Sequence, residues 1–213
     1  MSVLGAVRFS WAEVIDARKG ARTQLRGVAY VYDPAISKRK LSLHGRARPG
    51  DLFWVGEPVT HWWGQRDETL QARVFCADHA SSIGPRPEHL KNHWMRCRNI
   101  PERNMRRAGS RLTLEVTANR LEHLHTISAA DAEASGVRME MRQGRPHYAT
   151  AGHPEGHGIT PQAAFLDQWR RAHGKISLDA DPVLAVVTFR LIEANVDQLC
   201  LGGRTENKQR VAA

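Results

Sequence analysis

The chain is poor in cysteine and in long apolar runs, and each shortage excludes a class of protein. Three cysteines in 213 residues, Cys76, Cys97 and Cys200, are too few and odd in number for a disulfide framework, which points to a reducing compartment. No apolar stretch approaches the roughly 20 residues a membrane-spanning helix needs. The beginning of the chain, MSVLGAVRFSWAEV, lacks the charged, apolar and small-residue blocks of a signal peptide. A cytoplasmic location without a membrane partner is therefore expected. No internal repeat, P-loop, dinucleotide-binding glycine signature, nucleophile elbow or His-Glu-x-x-His motif occurs, and no cofactor is expected.

What the chain has in excess is positive charge, +9 overall. Residues 1–111 hold 20 Lys and Arg against 10 Asp and Glu, whereas residues 112–213 hold 11 against 12. The densest part runs through Arg96, Arg98, Arg103, Arg106, Arg107 and Arg111, interrupted by one acid, Glu102. The planar fork of arginine pairs with phosphate and stacks on bases, so RNA or another polyanion is the natural partner. The competing readings are a solvated basic face and a surface that docks on a partner protein, whose identity the sequence does not reveal.

Hydrophobic patterning outlines an α+β chain. Ser10 and Glu13 form a capping box for a helix over about 11–19, stopped by Gly20. Gln24 to Tyr32 reads as a strand ending at Asp33-Pro34. Lys38-Arg39-Lys40 and Arg46 to Asp51 read as a basic loop, and Leu52 to Val55 as a short buried strand. Leu112, Leu114 and Val116 alternate with polar residues as a half-buried strand does. Ser128 with Asp131 then caps a helix that Gly136 ends, with Ile127 placed to staple its start. Thr160-Pro161 opens a helix with Phe165, Trp169 and Ala172 on one face and Gly174 at its close, and Val183 to Leu191 is a buried final strand. The two remaining stretches are irregular. Trp62, Trp63, Phe75 and Trp94 are scattered over one, and the other, with Gly144, Gly152, Gly156 and Gly158, reads as a long loop.

Two histidine groups invite a metal reading. Cys76, His79, His89, His93 and Cys97 have spacings that resemble zinc ligands, with His89, His93 and Cys97 able to share a helix face, but there is no Cys-x-x-Cys pair and polar loop residues are the simpler reading. His123 and His125 could share a face of a strand, and His147, His153 and His157 lie in the glycine-rich stretch. No metal is expected.

Several separated segments carry a family resemblance. Phe9-Ser10 with Gly20 to Arg26, then Pro49 to Val55, then Met105 to Thr117 continuing into Ile127-Ser128 and Asp131-Ala132, and finally Phe165, Trp169, Asp179 to Pro182 and Val186 to Arg190 follow one another as in the ASCH superfamily. The chain resembles its longer phage and prophage members. The resemblance implies a PUA-like mixed β-barrel with flanking helices: one domain over 1–192 with irregular insertions at about 56–104 and 138–159, and a weakly patterned tail at 193–213. It further implies a cleft for RNA, single-stranded nucleic acid or a modified nucleotide, bordered by Arg22, Thr23 and Arg26, with Arg106, Arg107 and Arg111 on another wall. Trp54 or Trp11 could stack a base, core packing being the competing role for both and for Trp169.

Some small members of that superfamily resemble amidohydrolases that deacetylate acetylated cytidine with a lysine, a threonine and a glutamate. Carried onto this chain, those positions fall on Arg22, Leu25 and Ser135. Arginine, with a pKa of about 12.5 or above, cannot take up and return a proton near neutral pH, and leucine has no hydroxyl. A displaced set, Lys19, Thr23 and Glu133, suffers because Glu133 and Ser135 project from nearly opposite sides of one helix. Binding rather than hydrolysis is expected, with no catalytic residue assigned.

Overall fold

The computed structural model describes residues 2–33, 38–64, 70–90, 95–150 and 153–201. In chain order the elements are β1 (Val3–Arg8), α1 (Trp11–Arg18), β2 (Gln24–Val28), β3 (Tyr30–Asp33), β4 (Lys38–Leu41), β5 (Leu52–Gly56), β6 (Val59–Gly64), β7 (Leu70–Phe75), β8 (Met95–Ile100), β9 (Thr113–His123), α2 (Ala129–Ala134), β10 (Val137–Arg142), β11 (Arg145–Thr150), β12 (His153–Gly158), α3 (Pro161–Asp179) and β13 (Val183–Ile192). The chain is α+β with several sheets, and none of them closes into a barrel among the described residues. It divides into two compact units, each discontinuous in sequence: Met1–Leu4, Asp16–Asp51 and Glu115–Leu191 make the first, and Gly5–Ile15, Leu52–Leu114 and Ile192–Ala213 the second.

In the first unit β9, β13 and β2 lie side by side in that order. β13 is antiparallel to β2, from Leu184 opposite Val28 to Thr188 opposite Gln24. Leu184, Ala185, Val186 and Val187 are fully buried, as an unbroken apolar run must be when both faces of a strand are covered. The strand expected over 24–32 is in fact two. It breaks at Ala29, whose N–H donates to the Val183 carbonyl while its own carbonyl accepts from Ser42. Lys38 to Lys40, expected as a loop, belongs to β4 and pairs with β3.

Helix α2 is capped as its sequence predicts, with the Ser128 Oγ accepting from the Asp131 N–H at 3.1 Å. Thr160 Oγ1 likewise accepts from Ala163 N–H at 3.2 Å to start α3. Gly174, at φ 82° and ψ 164°, interrupts the helical backbone of α3 where the sequence predicts its end. Ile127, Ala132, Val137, Ala164, Phe165, Trp169 and Leu184 form one buried cluster, so α2, α3 and β13 are held by a common apolar contact.

The glycine-rich stretch is not a long loop. β10, β11 and β12 form a three-stranded antiparallel sheet. Gln143 and Gly144, at φ 49° and 75°, make the two-residue turn between Arg142 and Arg145, the left-handed pair that a tight hairpin uses. Gly158 lets β12 meet α3, since a Cβ there would lie 2.5 Å from the Ala164 Cβ. β9 ends at His123 and His125 sits in the following turn, so the two histidines do not share a strand face.

In the second unit β1 lies beside β5, where Leu52, Phe53 and Val55 are fully buried. Ser10 and Glu13 form the expected reciprocal box: the Ser10 N–H donates to the Glu13 carboxylate at 2.8 Å and the Glu13 N–H to Ser10 Oγ at 3.3 Å. The stretch expected to be irregular over 56–104 holds an antiparallel sheet in the order β7-β6-β8. His89 lies in a single turn of 3-10 helix and Cys97 in β8, which removes the proposed common helix face. The tail is ordered at its start: Asn195 Nδ2 donates to the Arg107 and Ser110 carbonyls at 3.0 and 2.6 Å, and Val196 is fully buried. No described helix is long and apolar enough to cross a membrane.

Candidate functional site

The first unit contains a cavity of about 110 Å³ built by four segments: the loop after α1, strand β2, the residue that follows α2 and one face of α3. Gly20, at φ 69°, ends α1 in the left-handed conformation that glycine adopts without steric strain. The Asp16 carbonyl then accepts from the N–H groups of Ala21 and Arg22 at 2.9 and 3.2 Å. Thr23 is used by its backbone at both ends, its N–H donating to Ala134 O and its carbonyl accepting from Phe189 N–H, both at 2.9 Å. These bonds, with a bridge between Arg22 and Ser135, seat the loop between α2 and β13. Gly136 completes the junction: its φ is 100°, and a Cβ would come within 3.2 Å of Arg22 Nη1.

Arg22, Arg26, Ser135, Phe165, Gln168 and Trp169 line this cavity, together with Ala172 and His173. Arg22 Nη1 donates to the Ser135 carbonyl at 3.0 Å. The Arg26 side chain is only 2% exposed and works as a fixed wall. Its Nε donates to Ser135 Oγ at 3.1 Å, its Nη1 to Glu122, and its Nη2 to Gln24 Oε1 at 3.3 Å. Arg120 extends the network to Glu122 at 3.0 Å and Asp131 at 2.7 Å. Partial burial acts to raise the Asp131 pKa, but hydrogen bonds from Ser128, Gln24 and Arg120, with the charge of Arg120, override it and bring the value down to about 2. The carboxylate is thus ionised at neutral pH and helps hold the Arg26 wall in place.

Across from the arginines, the α3 residues Phe165, Trp169 and His173 recur every fourth position and form a row of mutually tilted rings along one face. Their ring centroids are 6.4 Å apart for the first pair and 4.1 Å for the second. Burial lowers the His173 pKa, so its ring is mainly neutral at pH 7. The sequence pattern places Phe165, Trp169 and Ala172 on one apolar face of this helix and does not include His173. That this face also forms a cavity wall depends on where the loop from Gly20 to Arg26 arrives, which no local pattern reveals.

The positions that the hydrolase resemblance points to do not form a catalytic set. Leu25 is 4% exposed and pairs with Val187 inside the sheet. Ser135 Oγ donates to the Asp131 carbonyl at 2.8 Å and accepts from Arg26, so its hydroxyl faces no base. Lys19 and Glu133 are exposed and, like Thr23, are not among the cavity lining.

The other expected ligand residues, Trp54, Arg106, Arg107 and Arg111, belong to the second unit. Arg8 lies over the Trp54 ring at 4.5 Å. Arg106 is exposed, and Arg107 pairs with Asp197. Arg111 has its fork on Glu57, with bonds of 2.9 and 3.0 Å, and on Asp78, with bonds of 2.6 and 2.8 Å, above the Phe75 ring at 3.7 Å. Burial alone would lower its pKa, but the two carboxylates raise it well beyond the usual arginine value. Four of its five N–H donors are thereby occupied, and this arginine is a structural clamp.

Among the described residues no group of three or more His, Cys, Asp and Glu could hold a metal ion. Cys76 is buried with its thiol directed at the Ser82 carbonyl, Cys97 is exposed, and His93 lies outside the described residues. No family model, curated protein or solved structure matches the chain.

Proposed function

We propose that the chain binds RNA, single-stranded nucleic acid or a modified nucleotide through the Arg22 cavity, as an ASCH-type protein with a PUA-like arrangement, and that it does so without turnover. The observation that carries this reading is the pairing of walls: arginine on one side, three mutually tilted rings and the Gln168 amide on the other. The Arg22 guanidinium can hold a phosphate, a ring can stack on a base, and the Gln168 carboxamide can read a base edge. At about 110 Å³ the cavity is well below the roughly 300–1,000 Å³ that takes a drug-sized molecule. One base or one phosphate fits inside, and the rest of the ligand stays outside.

Titration calorimetry with nucleoside monophosphates, acetylcytidine monophosphate among them, tests the reading. Binding that weakens with salt and is lost in Arg22→Ala is expected; no heat with any of them at millimolar concentration would remove the cavity as a nucleotide site. Chromatography of acetylcytidine incubated with the protein is expected to show no cytidine. Release of cytidine that Lys19→Ala or Thr23→Ala abolishes would instead establish an amidohydrolase.

A further inference from the structure

The β7-β6-β8 sheet is covered on one face over Thr60 and Val74 and open on the other along Arg73, Arg96 and Arg98, and the chemistry of the two regions differs. On the covered side, Thr60 Oγ1 donates to Asn99 Oδ1 and accepts from the Gly84 N–H, each at 2.7 Å. Gly84 packs so closely that a Cβ there would lie 2.7 Å from Val74 Cγ1. Residues paired across antiparallel strands share a face. β6 pairs His61 with Arg73 on one side and Arg98 on the other, and Trp63 with Arg96. These five side chains therefore stand together on the open side. Two contacts agree: the His61 and Trp63 rings meet edge-on at 5.8 Å, and Arg73 Nε donates to His61 Nε2 at 3.2 Å. Trp63, Arg96 and Arg98, with Cys97 between them, line a shallow concavity of about 420 Å³ at the β8 edge of the sheet.

We propose that this open face is a second binding surface, for single-stranded nucleic acid, separate from the Arg22 cavity. None of the three strands contains an acidic residue, and Arg73, Arg96 and Arg98 are exposed. The face is complementary to a polyanion. Burial and the charge of Arg73 lower the His61 pKa, so at pH 7 its ring is mainly neutral and offers a stacking surface beside Trp63. Rings interleaved with arginines on a sheet suit a strand whose bases are unpaired, because every base presents a π-face. An acidic protein would engage the arginines without using the rings, and duplex bases are already stacked on one another. Arg96 and Arg98, two residues apart on β8, stand roughly 6.6 Å from each other along the strand, close enough to grip neighbouring phosphates of one chain.

The test is fluorescence anisotropy with a labelled oligouridylate long enough to cross the sheet, measured over a salt series. Arg96→Gln with Arg98→Gln is expected to weaken binding and to flatten the slope of log K against log salt by about 1.4, since each phosphate neutralised on a single strand contributes about 0.7. Trp63→Ala is expected to weaken it about 5- to 150-fold, the range for losing one stacked base. Unchanged affinity and slope in the arginine pair would overturn the proposal. So would competition by polyglutamate as effective as by unlabelled oligouridylate, which would assign the face to an acidic protein. The arginines are exposed, so an unchanged melting temperature certifies the pair variant even if Trp63→Ala is destabilised. Loss of monophosphate binding in Arg22→Ala reads the cavity and loss of oligouridylate binding in the Arg96 and Arg98 pair reads the sheet, so the two proposals stand or fall separately.

Discussion

Removing Arg111 leaves a carboxylate in the second unit without its counter-charge. Glu57 is 0% exposed, and both of its oxygens accept from the Arg111 fork, at 2.9 and 3.0 Å. Deleting one partner of a buried, hydrogen-bonded ion pair destabilises by about 3–5 kcal/mol, because the remaining charge has lost its compensation and stays out of water. The bonds to Asp78 add little, since that carboxylate is 37% exposed and surface pairs contribute about 0–1 kcal/mol. For a chain of this size each kcal/mol moves the melting temperature by about 2–4 °C, so Arg111→Ala should lower it by about 6–20 °C. Arg111→Lys keeps the charge but loses the two-pronged contact, and should fall between. The informative control is Arg111→Met with Glu57→Leu. Replacing a buried pair by apolar groups of similar volume is often neutral or stabilising, so the double variant should recover most of the loss. Calorimetry of the four proteins decides. A fall below about 2 °C in Arg111→Ala, or a double variant as unstable as the single one, would refute the view that Glu57 is buried and held by this arginine.

Three further outcomes are expected. The Asp131 pKa lies below its ordinary value, so its contribution to stability is present above about pH 4 and is lost as the pH falls through about 2; Asp131→Asn should remove that part of the acid-side loss, read from melting temperatures between pH 2 and 5. Gly158→Ala pushes a methyl against Ala164, and overpacking of this kind costs about 1–3 kcal/mol, or about 2–12 °C in melting temperature. Ser128→Ala removes the α2 cap and should cost about 1 kcal/mol, whereas Ser128→Asp should keep most of it in the same melting experiment.

Elements that carry their own punctuation were legible from sequence: the capping boxes at Ser10 and Ser128, the Thr160-Pro161 start and Gly174 break of α3, and the apolar run of β13. β12 was not, because His153-Pro154-Glu155-Gly156-His157-Gly158 has no alternation of its own; it is a strand by virtue of pairing with β11. β8 was hidden for a different reason. Arg96 and Arg98 read as part of a basic run, and their two-residue period means something only beside Trp63 and His61 on β6. For the cavity, the resemblance pointed to Arg22, Thr23 and Arg26 as its border and to Arg22, Leu25 and Ser135 as hydrolase positions; Arg22, Arg26 and Ser135 line it, whereas Thr23 and Leu25 do not. The partners that settle what each arginine does are distant in sequence. Glu122 is 96 residues from Arg26, and Glu57 is 54 residues from Arg111. A run of arginines looks uniform until such carboxylates are placed, and then it separates into clamps, walls and exposed charges.

Photo-crosslinking with 4-thiouridine monophosphate, followed by mass spectrometry of the digested protein, tests most directly whether the Arg22 cavity takes a nucleotide. The ligand is small enough to report the cavity rather than a charged surface at large. Crosslinks on the α3 segment carrying Phe165, Trp169 and His173, lost in Arg22→Ala, are the predicted result. Crosslinks confined to the exposed arginines around Arg103 and Arg106, or none at saturating ligand, would contradict it.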